Sequence, residues 1–84
     1  MVRVTITPDA AGELERVPLA IRIRMVRIFE RLERWPEVSG AKPLRGDRAG
    51  LYRVRTGDYR VQFRVEGATL IVEKIGHRAG FYED

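Results

Sequence analysis

The stretch "GLYRVRTGDYRVQF" (residues 50–63) leaves this chain few choices. Polar and apolar residues alternate over 51–56 and again over 59–65, the period of two that sends successive side chains to opposite faces of a sheet. Only Gly57 and Asp58 stand between the two runs. Glycine supplies the positive φ of a two-residue II′ turn, so the runs are expected to pair as an antiparallel hairpin. Tyr52 and Val54 then share a face with Tyr59, Val61, Phe63 and Val65. Arg53, Arg55, Arg60 and Arg64 gather on the other.

The rest of the chain supplies a cover for the apolar face. "VRVTIT" (2–7) alternates as a strand. Thr7 is placed to cap a short helix over 8–16, with Pro8 at its first position and Asp9 near the positive end of its dipole. Gly12 weakens this helix. A second helix starts at Pro18 and runs to about Trp35, stopped by Pro36. Ile21, Met25, Ile28, Leu32 and Trp35 fall on one face of it, and Ile23, Val26 and Phe29 are expected to widen that face. Arg24, Arg27, Arg31 and Arg34 form a second stripe, with Glu30 and Glu33 spaced for i,i+3 or i,i+4 pairs. That stripe suits a solvated face or a partner. Residues 37–50 read as a loop, and 69–76 as a third hairpin-connected strand after a turn at Gly67. In this last strand Leu70, Val72, Lys74 and Arg78 share one register and Ile71, Glu73, Ile75 and His77 the other, and neither set is cleanly apolar. The expected fold is a single α+β domain, 1–84, ordered β-α-α-β-β-β, with two N-terminal helices packed on one face of a small antiparallel sheet.

Composition narrows the function. Without cysteine there is no disulfide, thiolate nucleophile or cysteine-bound zinc, which fits a reducing cytoplasm. No apolar run approaches the roughly 20 residues that span a bilayer, and the N-terminus lacks a signal peptide's apolar segment, so no membrane role is expected. One histidine and scattered carboxylates suggest no metal site, and no glycine-rich nucleotide loop is present, so no cofactor is expected. Charge is informative: residues 1–39 carry seven arginines against six acids, whereas 40–82 carry nine Lys or Arg against four acids. Like charges on neighbouring strands repel, so a row of guanidinium groups makes sense where an anion completes it. A phosphodiester backbone is such an anion, and arginine's planar fork suits its oxygens. Lys42, Arg45 and Arg48 in the preceding loop, with Arg64 and Lys74, would add phosphate-backbone contacts without sequence information, or else serve solubility.

"LRGDRAGLYRVRTGDYRVQF" (44–63), followed by "IGHRAGFY" (75–82), resembles the RelE/ParE superfamily of bacterial and archaeal toxins. The resemblance covers nearly the whole chain in order and implies the RelE-like fold. RelE-type members are ribosome-dependent endoribonucleases that cut messenger RNA, ParE-type members poison DNA gyrase, and both are held inactive by a cognate antitoxin. Carried over position by position, the RelE-type site falls on Arg53, Arg55, Arg60, Arg78 and Tyr82. RNA would be cut by its own 2′-hydroxyl, with Arg53, Arg60 and Arg78 holding the phosphate and Tyr82 stacking on a base. Some RelE-type toxins carry lysine where Arg53 and Arg55 stand. Arginine stays protonated and is a poor base, so His77 enters as a candidate base, acid or phosphate contact. The resemblance therefore implies a toxin that acts as an mRNA interferase on the ribosome, in the cytoplasm, with an antitoxin partner. It leaves a gyrase inhibitor, or a degenerate toxin acting only with its antitoxin, as alternatives.

Overall fold

The computed structural model describes residues 1–81. The chain folds as β1 (Arg3–Ile6), α1 (Pro8–Arg16), α2 (Leu19–Leu32), β2 (Lys42–Pro43), a 3₁₀ turn over Gly46–Arg48, β3 (Leu51–Thr56), β4 (Tyr59–Glu66), β5 (Thr69–His77) and α3 (Arg78–Phe81). The five strands form one sheet in the order β1-β5-β4-β3-β2. The α+β class, the two N-terminal helices and the central meander are those expected from the sequence. The sheet is mixed, however, because β1 pairs with β5 in parallel. A strand connected through helices is free to return parallel, whereas two-residue turns force the antiparallel pairs. The two-residue β2, opposite Tyr52 and Arg53, lies within what reads as a loop.

Local chemistry explains the boundaries. The Thr7 hydroxyl accepts from the Ala10 amide at 3.1 Å and caps α1. Gly57 and Gly67 both have positive φ, and among the described residues no residue type other than glycine does. The second residue of each hairpin turn therefore has negative φ, which makes these type II′ rather than I′ turns.

Helices and sheet share one core. Met25, Ile28 and Leu32 of α2 and Ala10 of α1 bury against Val54, Val61, Phe63, Leu70, Val72 and Ile75. Trp35 closes the end of α2 by edge-on contact with Tyr52 at 4.7 Å and Phe63 at 5.3 Å. Ile23 and Val26 do not widen the buried face of α2, since both are nearly half exposed. Nor do Glu30 and Glu33 form the expected ion pairs with the α2 arginines among the described residues. Such exposed pairs gain little against the entropy of fixing two long side chains.

A bulge resolves the ambiguous third strand. The pairing steps from Gln62↔Lys74 to Phe63↔Val72, so Glu73 is an extra residue in β5. Val72 and Ile75, three apart, therefore both face the core. Glu73 reaches the same side as Gln62 and Arg64, to which it is hydrogen bonded. Beyond Val72, β5 has no strand on its β1 side, because β1 ends at Ile6 opposite Val72. Helix α1 covers that edge, and the Glu13 carboxylate accepts the Ile75 amide at 2.7 Å.

Candidate active site

The face of the sheet away from α1 and α2 carries two rows of polar side chains across the strands. Cross-strand partners point to the same side. One row runs Lys42, Arg53, Gln62, Lys74 through β2, β3, β4 and β5, and the next holds Arg55 opposite Arg60. Three of the four sequence-derived RNA-backbone or catalytic arginines of the hairpin thus lie within two adjacent rows. Lys42, Arg53 and Arg55, with Gly40, line a concavity of about 150 Å³ at the β2–β3 edge. The short β2 brings Lys42 beside Arg53.

The arginines differ in setting. Arg55 is exposed and has no ion-pair partner among the described residues. Arg60 is only 8% exposed, and its guanidinium donates to the Gly57 carbonyl at 3.4 Å and the Tyr59 carbonyl at 3.3 Å. The backbone of the β3–β4 turn therefore helps fix the orientation of Arg60. Arg64 is neutralised: it donates to Glu73 at 2.6 Å and to Glu66 at 2.9 Å. Its hydrogen bonds to the Glu66 and Glu73 carboxylates raise its already high pKa. Gln62, 8% exposed, donates to the second oxygen of Glu73 at 3.2 Å. At this end the anion that completes the guanidinium row is the protein's own, because the bulge places Glu73 there. Alternation along 59–65 puts Gln62 on this face with Arg60 and Arg64, but sequence reasoning left the face of Glu73 open, although "VEKI", with two polar residues between apolar ones, carries the signal of a bulge.

The remaining residues lie elsewhere. Arg78 starts α3, beside the β3–β4 turn: its amide donates to the Asp58 carbonyl at 2.7 Å, and its Nε lies 3.9 Å from the Asp58 carboxylate. It stands at the same turn that holds Arg60. His77 does not join the arginines. Its cross-strand partner is Tyr59, on the helix-covered face, with the rings edge-on at 5.2 Å. His77 Nδ1 accepts from the Ala79 amide at 3.1 Å. Strand alternation places it opposite to Arg60 and Gly76. Arg45 precedes the 3₁₀ turn before β3, and Arg48 is its last residue. Tyr82 lies outside the described residues. Among the described residues no cluster of three His, Asp or Glu side chains forms a metal-binding group, and no helix is long and apolar enough to cross a membrane.

Comparison with known proteins places this architecture. Residues 4–82 match the family described as the ParE toxin of type II toxin-antitoxin systems. Toxin RelG of Mycobacterium tuberculosis is 35% identical over 82 residues, covering 94% of this chain and 93% of that protein. Toxin RelE of the same organism is 41% identical over 73 residues, covering 86% of this chain and 74% of that protein. The crystal structure of the M. tuberculosis RelBE2 toxin-antitoxin complex superposes with a TM-score of 0.80 at 33% identity, covering 94% of this chain and 95% of that one. The RelB-RelE complex of Methanococcus jannaschii superposes with a TM-score of 0.80 at 27% identity, covering 94% and 95%. Two helices on a mixed sheet with a cationic open face are thus the scaffold of a RelE-like toxin. The chain belongs to the ParE toxin family of type II toxin-antitoxin systems.

Proposed function

We propose that this toxin is an endoribonuclease that cleaves messenger RNA on the ribosome, in the cytoplasm, and is held inactive by a cognate antitoxin. The observation that carries the reading is the Arg55–Arg60 cross-strand pair, with Arg53 and Lys42 in the adjacent row of an open face. The Rel names of the M. tuberculosis relatives support it. The antitoxin follows from structural relatives that are RelB-containing complexes.

The reaction proposed is attack of a ribose 2′-oxygen on the adjacent phosphorus. The P–O5′ bond breaks, leaving a 2′,3′-cyclic phosphate and a 5′-hydroxyl. The 2′-OH proton departs and the 5′-oxygen gains one. Arginine is always protonated, so Arg53, Arg55 and Arg60 act by charge. They hold the phosphate and stabilise the extra negative charge of the phosphorane, an effect that is largest when the donors are already oriented. Arg60, oriented by the turn carbonyls, meets that condition best. Arg78 approaches from the same turn. Lys42, Arg45, Arg48 and Lys74 position the RNA backbone, and Tyr82 stacks on a base. His77, on the opposite face, takes no part.

The test is to add the purified protein to a translation extract and map RNA ends. Cuts phased with codons inside translated messages support the reading, and intact messages in an extract whose translation is nevertheless blocked contradict it. A second reading, non-catalytic inhibition of DNA gyrase, is favoured by the ParE name of the matching family. Gyrase supercoiling assays with the same preparation distinguish it.

A further inference from the structure

His77 stands outside the chemistry, but its ring is engaged at the point where Arg78 begins. His77 is the last residue of β5 and Arg78 the first of α3. Nδ1 of His77 accepts the Ala79 amide at 3.1 Å. Ala79 is the second helical residue, so His77 is the N-cap of α3, with an imidazole nitrogen in the role that a Ser, Asp or Asn oxygen ordinarily fills. An amide N–H donates only to an unprotonated ring nitrogen. The ring at this cap is therefore neutral, with its proton on Nε2.

This bond completes a bracket around Arg78. On one side the Arg78 amide donates to the Asp58 carbonyl at 2.7 Å, which ties the residue to the β3–β4 turn. On the other side the Ala79 amide is tied to His77. The backbone on both sides of the Arg78 α-carbon is thus held, and with it the direction in which the side chain leaves. The side chain itself is loosely placed: it is 65% exposed, and its Nε lies 3.9 Å from the Asp58 carboxylate, beyond hydrogen-bond length. Its aim beside Arg60 comes from the backbone. Because α3 has only four residues, far too few to hold a helix unaided, its cap carries much of that order.

The cap is conditional on charge. A protonated imidazole carries an N–H at both nitrogens, so Nδ1 would turn a donor toward the Ala79 amide and the bond would be lost. The groups around the ring come from three elements and the turn. Tyr59 of β4 lies edge-on to it. Glu13 and Arg16 of α1 share with it a cleft of about 260 Å³, and Lys74 of β5 lines the neighbouring one. Asp58 and Arg78 stand at the turn. The Glu13 carboxylate already accepts the Ile75 amide.

We infer that His77 is a positioning residue for Arg78: as the neutral cap of α3 it aims the Arg78 guanidinium at the phosphate, and protonation of the ring releases that aim. The inference rests on the ribonuclease reading for what Arg78 contacts. It gives the toxin a loss of activity on mild acidification that arginine cannot supply, since arginine keeps its proton.

The test compares wild-type protein with His77→Asn and His77→Ala in single-turnover cleavage of ribosome-bound message, from about pH 5 to 8, the range in which histidine ordinarily changes charge. Asparagine sets an oxygen near the Nδ1 position, caps helices well and does not titrate. At the alkaline end His77→Ala is expected to cut about tenfold more slowly than wild type, and His77→Asn within about twofold of it, the scale of a small misplacement of one contact. As the pH falls, wild type should slow relative to His77→Asn, a ratio in which the ionisations of the substrate cancel. In an Arg78→Ala background all three residues at position 77 should cut alike. A ratio that does not move with pH, an asparagine variant as slow as the alanine one, or an undiminished His77→Ala penalty without Arg78 overturns the inference. The ribonuclease reading fails separately. If wild type cuts no message that reading is lost, and nitrogen NMR of the isotopically labelled chain decides on His77. Arg78 Nε and Ala79 amide signals that follow the ring's titration in wild type, and stand still in His77→Asn, uphold the inference, whereas wild-type signals indifferent to that titration overturn it.

Discussion

Arg55 and Arg60 face each other across β3 and β4, yet one is exposed and the other is 8% exposed. The difference separates their roles in folding. Arg60→Ala deletes a buried group whose hydrogen bonds brace the β3–β4 turn, and should cost about 1–3 kcal/mol. For a domain of this size each kcal/mol lowers the melting temperature by about 4–8 °C. Arg55→Ala removes only an exposed cation beside another, and should leave the melting temperature unchanged or slightly raised. Calorimetry of the two variants checks the contrast.

Glu73 sets the charge at one end of the open face. It holds Arg64 and Gln62 together, and the bulge is what delivers it there. Glu73→Gln removes the negative charge while keeping an acceptor for Gln62. The sheet face then gains one effective positive charge. Binding to RNA should steepen in its salt dependence by about one in log–log slope, measured against the wild type by fluorescence anisotropy.

Glu13 substitutes for a missing strand. Its carboxylate accepts the Ile75 amide where β1 no longer covers β5. Glu13→Ala should destabilise the protein by about 1.5–3 kcal/mol, the range for a hydrogen bond to a charged group. Urea unfolding gives the magnitude. Amide exchange at Ile75 should accelerate more than at residues paired on both sides.

Gly57 has φ of +58°, and a side chain there would meet nothing closer than the Arg24 guanidinium at 3.9 Å. Any penalty for Gly57→Ala is therefore conformational, about 1–2 kcal/mol. A chemically synthesised chain with D-alanine at position 57 should recover that loss. The L-alanine variant should also weaken the function of Arg60, whose guanidinium is held by the Gly57 carbonyl.

Legibility in the sequence followed how local the determining physics was. The β3–β4 hairpin was readable because alternation and a two-residue glycine turn act over fourteen residues. The α1 cap was readable because Thr7, Pro8 and Asp9 are adjacent. Strand β5 was not, since one bulged residue switches its faces in mid-strand and leaves neither register apolar. The parallel β1–β5 pairing joins residues more than sixty positions apart and leaves no local trace. Strand β2 is too short for periodicity, so the place of Lys42 beside Arg53 came only with the fold. His77 follows an alternation that was visible, but the bulge upstream changed which face that alternation led to.

The central claim is that charge from the β3–β4 hairpin holds and stabilises the phosphate being cut. It is tested most directly by single-turnover cleavage of a message positioned on programmed ribosomes, comparing wild-type protein with Arg55→Ala, whose fold should be intact. The account predicts that the variant cuts about 10²–10³-fold more slowly, the cost of losing one oriented donor to a developing anion, and that a 2′-deoxy residue at the cleavage site abolishes the wild-type cut. Cleavage by Arg55→Ala at the wild-type rate, or undiminished cutting of the 2′-deoxy message, would contradict it.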